Sequence, residues 1–230
     1  MQSHIARVGG TGAFVVAVVY MVVSLNYLRW PVSATPAELM QLLRANPAFH
    51  YISTLGFALI AIMMIPVITA LTELLQRANA GMVRWAAIIG YIGCGGTIMS
   101  NFRMLRLVPA RAEAFLEGDE MVRTAIQYNW IGNSLDPDGW LFFGALGFWT
   151  LVTAWTVLRE GNLFPRSYGY LGFAVAALLF LALLGNLLLP ALGTAAAGLG
   201  GLVVGPAWSV WTGILLRRQA ASAERLSLPA

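Results

Sequence analysis

Six apolar runs, each about as long as a helix that crosses a bilayer, occupy most of this 230-residue chain. A bilayer core about 30 Å thick requires about 20 apolar residues, because a helix rises about 1.5 Å per residue. Charged residues make up only 10% of the chain, against about 25% in soluble proteins. The sequence therefore predicts an all-α, polytopic membrane helical bundle in a single domain, residues 1–230. The six transmembrane helices are predicted at 9–28, 50–74, 84–107, 139–158, 168–189 and 192–216.

Two segments between the spans are predicted to form short amphipathic helices. Residues 35–46 combine an N-cap pattern, T-P-A-E, with Leu39, Leu42 and Leu43 on one face. Residues 109–137 contain a second helical pattern, whose apolar stripe is Met121, Val122, Ala125 and Ile126. Both helices are expected to lie along the extracytoplasmic interface and to cover the bundle.

The distribution of charge predicts the orientation of the bundle. An even number of spans places both termini on one side, and basic residues favour the cytoplasmic side. The predicted terminal side carries eight of the 14 Arg and three of the ten acidic residues, which leaves six Arg and seven acidic residues opposite. We therefore expect a multi-pass protein of the cell inner (plasma) membrane with both termini in the cytoplasm.

Composition also limits the possible cofactors. The chain has no Lys, which excludes a Schiff base to retinal or pyridoxal. His4 and His50 are predicted on opposite sides of the membrane, so a bis-histidine haem is not expected. Cys94 is the one cysteine, so a disulfide framework and a thiolate metal cluster are excluded. No cofactor is identifiable. The dispersed Arg residues show no nucleic-acid footprint, and H-E-x-x-H is absent.

Polar side chains near the spans are predicted to converge on the outer half of the bundle, where they would line a vestibule that opens outward. Intramembrane polar groups usually face the bundle or water, which makes them candidates for ligand binding. The alternatives are that the arginines extend to the interface and that the asparagines hydrogen-bond between helices. The candidates are Asn26, His50, Asn101, Arg103, Arg106, Asn129, Trp130, Asn133, Trp140 and Asn186.

Residues 128–140, Y-N-W-I-G-N-S-L-D-P-D-G-W, form the densest polar and aromatic stretch. The spacing of Asp136 and Asp138 suits a divalent cation, but an N-cap at Asp138 and a turn at Asp136 are the preferred explanation of the pattern. The calcium-loop pattern is incomplete, and no metal site is predicted. Were the chain an enzyme, the catalytic candidates would be Asp136, Asp138, Arg103 and His50.

Small residues recur every four positions in the last span, at Gly193, Ala197, Gly201 and Gly205. Such a smooth face permits close contact between helices. Packing inside the bundle is the preferred explanation of this face, and the alternatives are contact with a protein partner, a second copy of the chain or a flat pigment.

Two stretches carry a resemblance to a known family. They are G-F-W-T-L-V-T-A-W-T-V-L-R-E-G-N-L-F-P-R-S-Y-G-Y-L-G (147–172) and G-P-A-W-S-V-W-T-G-I-L-L-R-R (205–218). Their Gly, Pro, Trp and Arg positions resemble those of bacterial six-helix membrane proteins that are grouped as a domain of unknown function. The resemblance implies a fold and no activity.

The sequence leads to three functional hypotheses. The first is a non-catalytic membrane protein, either an accessory subunit of a membrane assembly or a protein that binds a hydrophobic ligand or lipid. The second is a membrane enzyme that acts on a lipid or isoprenoid at the outer leaflet. The third is a small-molecule transporter.

Overall fold

A computed structural model of the chain describes residues 2–29, 35–128, 135–136, 139–160 and 163–227, and these are almost entirely helical. Five helical segments are apolar and long enough to cross a membrane, so the predicted all-α membrane bundle is confirmed. Two five-residue π-helical turns, Trp140–Gly144 and Gly200–Val204, lead into α5 and α8. The helices are α1 Gln2–Tyr27, α2 Pro36–Ala45, α3 Pro47–Glu117, α4 Glu120–Tyr128, α5 Ala145–Glu160, α6 Arg166–Leu188, α7 Pro190–Leu199 and α8 Gly205–Ser227.

The long segment α3 is a hairpin that folds at Asn79. The backbone of Asn79 leaves the helical region, with φ −152° and ψ 85°, and separates arm α3a (47–78) from arm α3b (80–117). The hydroxyl groups of Thr69 and Tyr91 share a hydrogen bond of 2.9 Å, whereas a straight helix would place these residues roughly 33 Å apart. The two arms therefore run antiparallel. Gln76 with Arg84, and His50 with Met104, make further hydrogen bonds between the arms.

The six predicted spans correspond to α1, α3a, α3b, α5, α6 and the continuous rod formed by α7 and α8. How many of them cross a membrane stays a prediction. Arm α3b continues through Pro109 to Glu117, beyond the span end predicted at residue 107. The first part of the segment 109–137 thus prolongs α3b, and the amphipathic helix predicted in that segment is the shorter α4.

The first and last helices run antiparallel, and their ends meet at one end of the bundle. Arg7 forms an ion pair with Glu224. Arg217 donates a hydrogen bond of 3.1 Å to the Thr11 hydroxyl, and its guanidinium lies 5.4 Å from the Phe14 ring centroid. We call this the terminal end of the bundle, and the opposite end, where α2 and α4 lie, the cap end.

Helix α2 starts from a capping box. The Thr35 backbone N–H donates to the Glu38 carboxylate at 2.7 Å, and the Glu38 N–H donates to the Thr35 hydroxyl at 3.3 Å. Hydrogen bonds from the backbone and then the side chain of Thr35 hold the pKa of Glu38 below its usual value. The box therefore fixes the first turn of α2.

Helix α2 packs on the extension of α3b through a second, smaller hydrophobic cluster. Met40 and Leu43 of α2 are buried against Val108, Ala112 and Phe115 of α3b. From the predicted stripe of α4, Ile126 packs on this cluster, whereas Met121 is 80% exposed and Val122 and Ala125 are also exposed. The predicted cover of the bundle thus consists mainly of α2 and the α3b extension.

An aromatic core fills the half of the bundle near the terminal end. Tyr168 stacks on Trp208 with ring centroids 5.7 Å apart, and Trp149 meets Trp208 edge-on at 5.9 Å. Trp149 and Tyr168 are each only 1% exposed. The Tyr168 and Thr212 hydroxyls share a hydrogen bond of 2.9 Å that joins α6 to α8. This half is therefore closely packed.

Candidate functional site

A cavity of about 370 Å³ lies in the half of the bundle nearer the cap end. Its size falls within the range of about 300–1,000 Å³ that is typical of small-molecule sites. Apolar side chains make up most of the wall, including Val23 of α1, Phe142 and Phe143 of the first π turn, and Leu178 and Leu179 of α6. Helices α1, α3b, α6 and α7 enclose the space between them.

Three of the predicted polar candidates lie on this cavity. Asn101 is on α3b, Asn186 is near the end of α6, and Asp136 precedes the first π turn. The Asn101 amide nitrogen donates to the Thr97 carbonyl at 2.8 Å. Asp136 and Asn186 lie near the cap end, and Asn101 lies about midway along α3b, so these polar groups are on the side of the cavity that is nearer the cap end.

Asp136 also holds the start of α5 in place. Its Oδ1 accepts the Leu141 N–H at 3.0 Å, and its Oδ2 accepts the Phe142 N–H at 2.9 Å. The turn between them requires Gly139, because its φ is +84° and a Cβ there would lie 2.5 Å from the Phe143 ring. Asp136 thus takes the capping role that the sequence suggested for Asp138, which lies outside the described residues.

Asn26 and His50 tie helices together and do not line the cavity. The Asn26 amide donates to the Phe49 carbonyl at 2.8 Å and to the Ser53 hydroxyl at 2.7 Å, which joins α1 to α3a. His50 Nε2 donates to the Met104 carbonyl at 3.0 Å and joins the two arms of α3. Both side chains are buried. For Asn26 the structure matches the alternative of a hydrogen bond between helices.

Arg103, Arg106 and Trp140 are exposed and lie off the cavity wall. Among the catalytic candidates that the structure describes, Asp136 lines the cavity, whereas Arg103 and His50 lie elsewhere. Within the described parts of the chain, no group of three or more His, Cys, Asp or Glu side chains is arranged to hold a metal ion. The candidates Asn129, Trp130, Asn133 and Asp138 are outside the described residues.

The small-residue face of the last span points into the cavity. Gly193, Ala197, Gly201 and Gly205 all line it. A Cβ at Gly201 would overlap the Ser24 hydroxyl of α1, so this face also brings α1 close to the rod. The spacing therefore identified cavity residues as well as a packing surface. Self-association through this face stays a prediction, and the oligomeric state of the purified chain tests it.

Both π-helical turns border the cavity. Phe142 and Phe143 come from the first turn, and Gly200 and Gly201 from the second. Single π turns inside helices are rare, and those that occur are often at functional sites, because they redirect side chains and free backbone groups.

The π turns could not be predicted from the sequence, since a π turn has no distinctive residue pattern. Thr97 and Ser100 were also missed, because serines and threonines occur in most of the spans.

The cavity has a lateral gap between α1 and α7, which contact each other at few points. Tyr27 and Leu28 of α1 lie on one side of the gap, and Thr194 and Ala197 of α7 lie on the other. All four residues line the cavity and are exposed. Among the described residues, the cavity wall is therefore exposed between α1 and α7.

Comparison with known proteins identifies a family. A family model described as "Domain of unknown function (DUF4386)" matches residues 9–216. This match confirms the resemblance that the two stretches of sequence indicated. No curated protein and no solved structure matches the chain.

Proposed function

The chain belongs to the DUF4386 family, whose description names no activity, and we propose that it is a non-catalytic membrane protein that binds a lipid-like molecule. The observation that carries the proposal is the cavity of about 370 Å³, which is mostly apolar and lies inside an apolar helical bundle. A concave apolar space with a few polar groups is the usual form of a small-molecule site. The role of accessory subunit in a larger assembly stays a prediction.

The arrangement of the cavity wall supports a ligand with one polar end. Asn101, Asp136 and Asn186 lie toward the cap end, and Val175 and Leu178 lie deeper along α6. A lipid in a bilayer has the same order, with its polar head at the interface and its chain in the core. The ligand would therefore keep the orientation that it has in the membrane.

The gap between α1 and α7 supports binding from the bilayer. A molecule that enters there keeps its chain in an apolar environment throughout and avoids the cost of transfer through water. The aromatic core around Trp149 fills much of the other half of the bundle, whereas the cavity lies in the half nearer the cap end. This favours a binding site over a continuous transport path.

The substitution Ala197→Trp tests the site. Ala197 lies at the middle of the cavity-lining face of α7, four residues from both Gly193 and Gly201. A tryptophan there would project into the cavity and displace the ligand. We expect the wild-type chain, purified from its own membranes, to carry a hydrophobic molecule in near-stoichiometric amount by mass spectrometry of the extracted lipids. We expect the variant to retain about tenfold less.

Ala195→Trp is the matched control. Ala195 is exposed, lies on the same helix and does not line the cavity, so this variant should retain the ligand at the wild-type level. Equal retention by the Ala197→Trp variant would show that the molecule binds elsewhere. A wild-type chain that carries only bulk lipid would contradict the proposed function itself.

We further propose that both termini face the cytoplasm in the cell inner (plasma) membrane. Because Cys94 is buried, single cysteines can be introduced in its presence. Gln127→Cys on α4 should react with an impermeant maleimide on intact cells, whereas Ser222→Cys on α8 should react only after lysis. Both positions are exposed. The reverse labelling pattern would place the termini outside.

A further inference from the structure

Two arginines near the end of the third predicted span have no partner in the described structure. Arg103 and Arg106 are exposed, and neither makes an ion pair or a hydrogen bond with a described residue. Residues three apart on a helix share a face, with their Cβ atoms about 5–6 Å apart. The nearest acidic residue along α3b is Glu113, roughly 10 Å beyond Arg106 along the helix axis. This face therefore carries two positive charges that no carboxylate of the described structure pairs with.

The rotation of α3b turns both arginines away from the rest of the bundle. Val108 packs with α2 in the smaller hydrophobic cluster, and it is two residues from Arg106, which is about 200° of rotation. Asn101 lines the cavity and is likewise two residues from Arg103. The two arginines therefore point away from α2 and away from the cavity.

An exposed apolar strip, formed by Ile88, Ile92 and Met99, runs along the same face of α3b. These side chains are between 56% and 66% exposed. They precede Arg103 at intervals of four and seven residues, which are close to whole helical turns, so all four residues lie on one side of the helix. From Ile92 to Arg103 the helix rises roughly 16 Å. The hydrocarbon of one leaflet is about 15 Å thick, half of a core of about 30 Å, so the strip is long enough for an acyl chain.

The arginine pair above the apolar strip matches the two parts of a phospholipid. Guanidinium groups bind phosphate oxygens through charge-assisted hydrogen bonds that are often bidentate. A single arginine that extends to the interface would meet any phospholipid headgroup. Two arginines on one face, with no acidic partner, favour a headgroup with a net negative charge, because they repel the ammonium group of a zwitterionic headgroup.

We propose that Arg103 and Arg106 together bind the headgroup of an anionic phospholipid, whose phosphate lies between the two guanidinium groups. One acyl chain then lies along the apolar strip. Because both arginines are off the cavity wall, this site is separate from the cavity and does not depend on the function proposed for it. The bound lipid is a fixed neighbour of α3b in the membrane.

Native mass spectrometry of the full chain in detergent tests the preference for anionic lipid. The delipidated chain is titrated with dioleoyl phosphatidylglycerol, which is anionic, or with dioleoyl phosphatidylcholine, which is zwitterionic and has the same acyl chains. We expect the wild-type chain to bind phosphatidylglycerol about tenfold more tightly. Arg103→Gln with Arg106→Gln should abolish this preference, because each arginine near an anionic lipid contributes about fivefold in affinity.

Arg159→Gln with Arg166→Gln is the matched control. Both residues are exposed and lie near the terminal end, and their substitution removes the same total charge, so this variant should keep the wild-type preference. Replacing Arg103 and Arg106 with lysines should keep part of it, since the charge remains and the bidentate geometry is lost. Inorganic phosphate at millimolar concentration should not displace the lipid. Displacement would show a site for free phosphate and overturn the proposal.

A phosphatidylglycerol with a photoactivatable group in one acyl chain locates the site. After reconstitution and irradiation, peptide mapping should find the label on α3b between Ile92 and Met99. The Arg103→Gln and Arg106→Gln double variant should carry about tenfold less label there. Its lipid-free unfolding temperature should match that of the wild type, because both side chains are exposed and unpaired. A lower unfolding temperature would show a structural role and contradict the proposal.

The remaining outcomes separate this site from the cavity. Ala197→Trp, which fills the cavity, should leave both the lipid preference and the label on α3b unchanged. If Ala197→Trp abolishes them, the anionic lipid binds in the cavity and the proposed site is wrong. Equal binding of the two lipids by the wild-type chain, or an equal loss of preference in both glutamine variants, would also overturn it, and neither result would affect the function proposed for the cavity.

Discussion

Gly185→Ala is expected to separate α6 from α7 and to destabilise the protein strongly. A Cβ at Gly185 would overlap the backbone nitrogen and Cα of Gly193 on the facing helix. Backbone atoms cannot rotate away as a side chain can, so the two helices must move apart. Overpacking costs about 1–3 kcal/mol and occasionally more, and we expect about 3 kcal/mol or more here. Unfolding of the full chain in mixed micelles with increasing SDS measures the change.

Gly95→Ala is the control for this substitution. Its added Cβ would meet no atom within 4 Å, and replacing a helical glycine with alanine typically gains about 0.5–1 kcal/mol. The two glycines should therefore shift stability in opposite directions. Asn186 of α6 and Gly193 of α7 both line the cavity. Because Gly185→Ala would move these two helices apart, it should also reduce ligand retention. Equal stability of the two variants would contradict the close approach of α6 and α7.

Trp149→Ala is expected to have the second large effect, through the core near the terminal end. Trp149 is 1% exposed, packs edge-on against Trp208 and lies against Gly90 of α3b. Loss of a large buried aromatic side chain costs about 3–5 kcal/mol. We expect about 3 kcal/mol, the lower end of this range, because a helix that leaves the bundle enters lipid and not water. The same SDS titration gives the value.

Trp155→Ala is its matched control on the same helix. Trp155 is 51% exposed, so its removal creates no internal space and should cost less than about 1 kcal/mol. If both tryptophans cost the same, the tight packing assigned to the terminal half would be wrong.

The helices were predictable because a bilayer leaves the backbone few alternatives. Every buried N–H and C=O must be bonded internally, so an apolar run of sufficient length forms a helix. The end of α3b was not predictable in this way. Beyond Val108 the sequence becomes polar and contains Pro109, and hydropathy does not distinguish a helix that continues outside the bilayer from a loop. The structure continues the helix to Glu117 because α2 packs against it.

The position of the candidate residues along their helices was predictable, but the rotation of those helices was not. Asn101 and Arg103 lie at similar depths, yet Asn101 lines the cavity and Arg103 is exposed. Two residues apart on a helix means about 200° of rotation, so they point in nearly opposite directions. In a soluble protein the apolar face would reveal which of them points inward. Because lipid is as apolar as the bundle interior, hydrophobicity does not distinguish the side of α3b that faces the bundle from the side that faces lipid.

The second π turn has a consequence for how this chain tolerates changes in length. A π turn holds one residue more than an α-helical turn, so Gly200–Val204 rotates α8 relative to α7 by roughly 100°. This offset lets Ala197 face the cavity while Trp208 faces the aromatic core. The contacts of the rod therefore depend on the rotation of α8 relative to α7 as well as on the residues present. Removing one residue at the turn would keep every contact residue of α8 in the sequence but would rotate them all away from their partners.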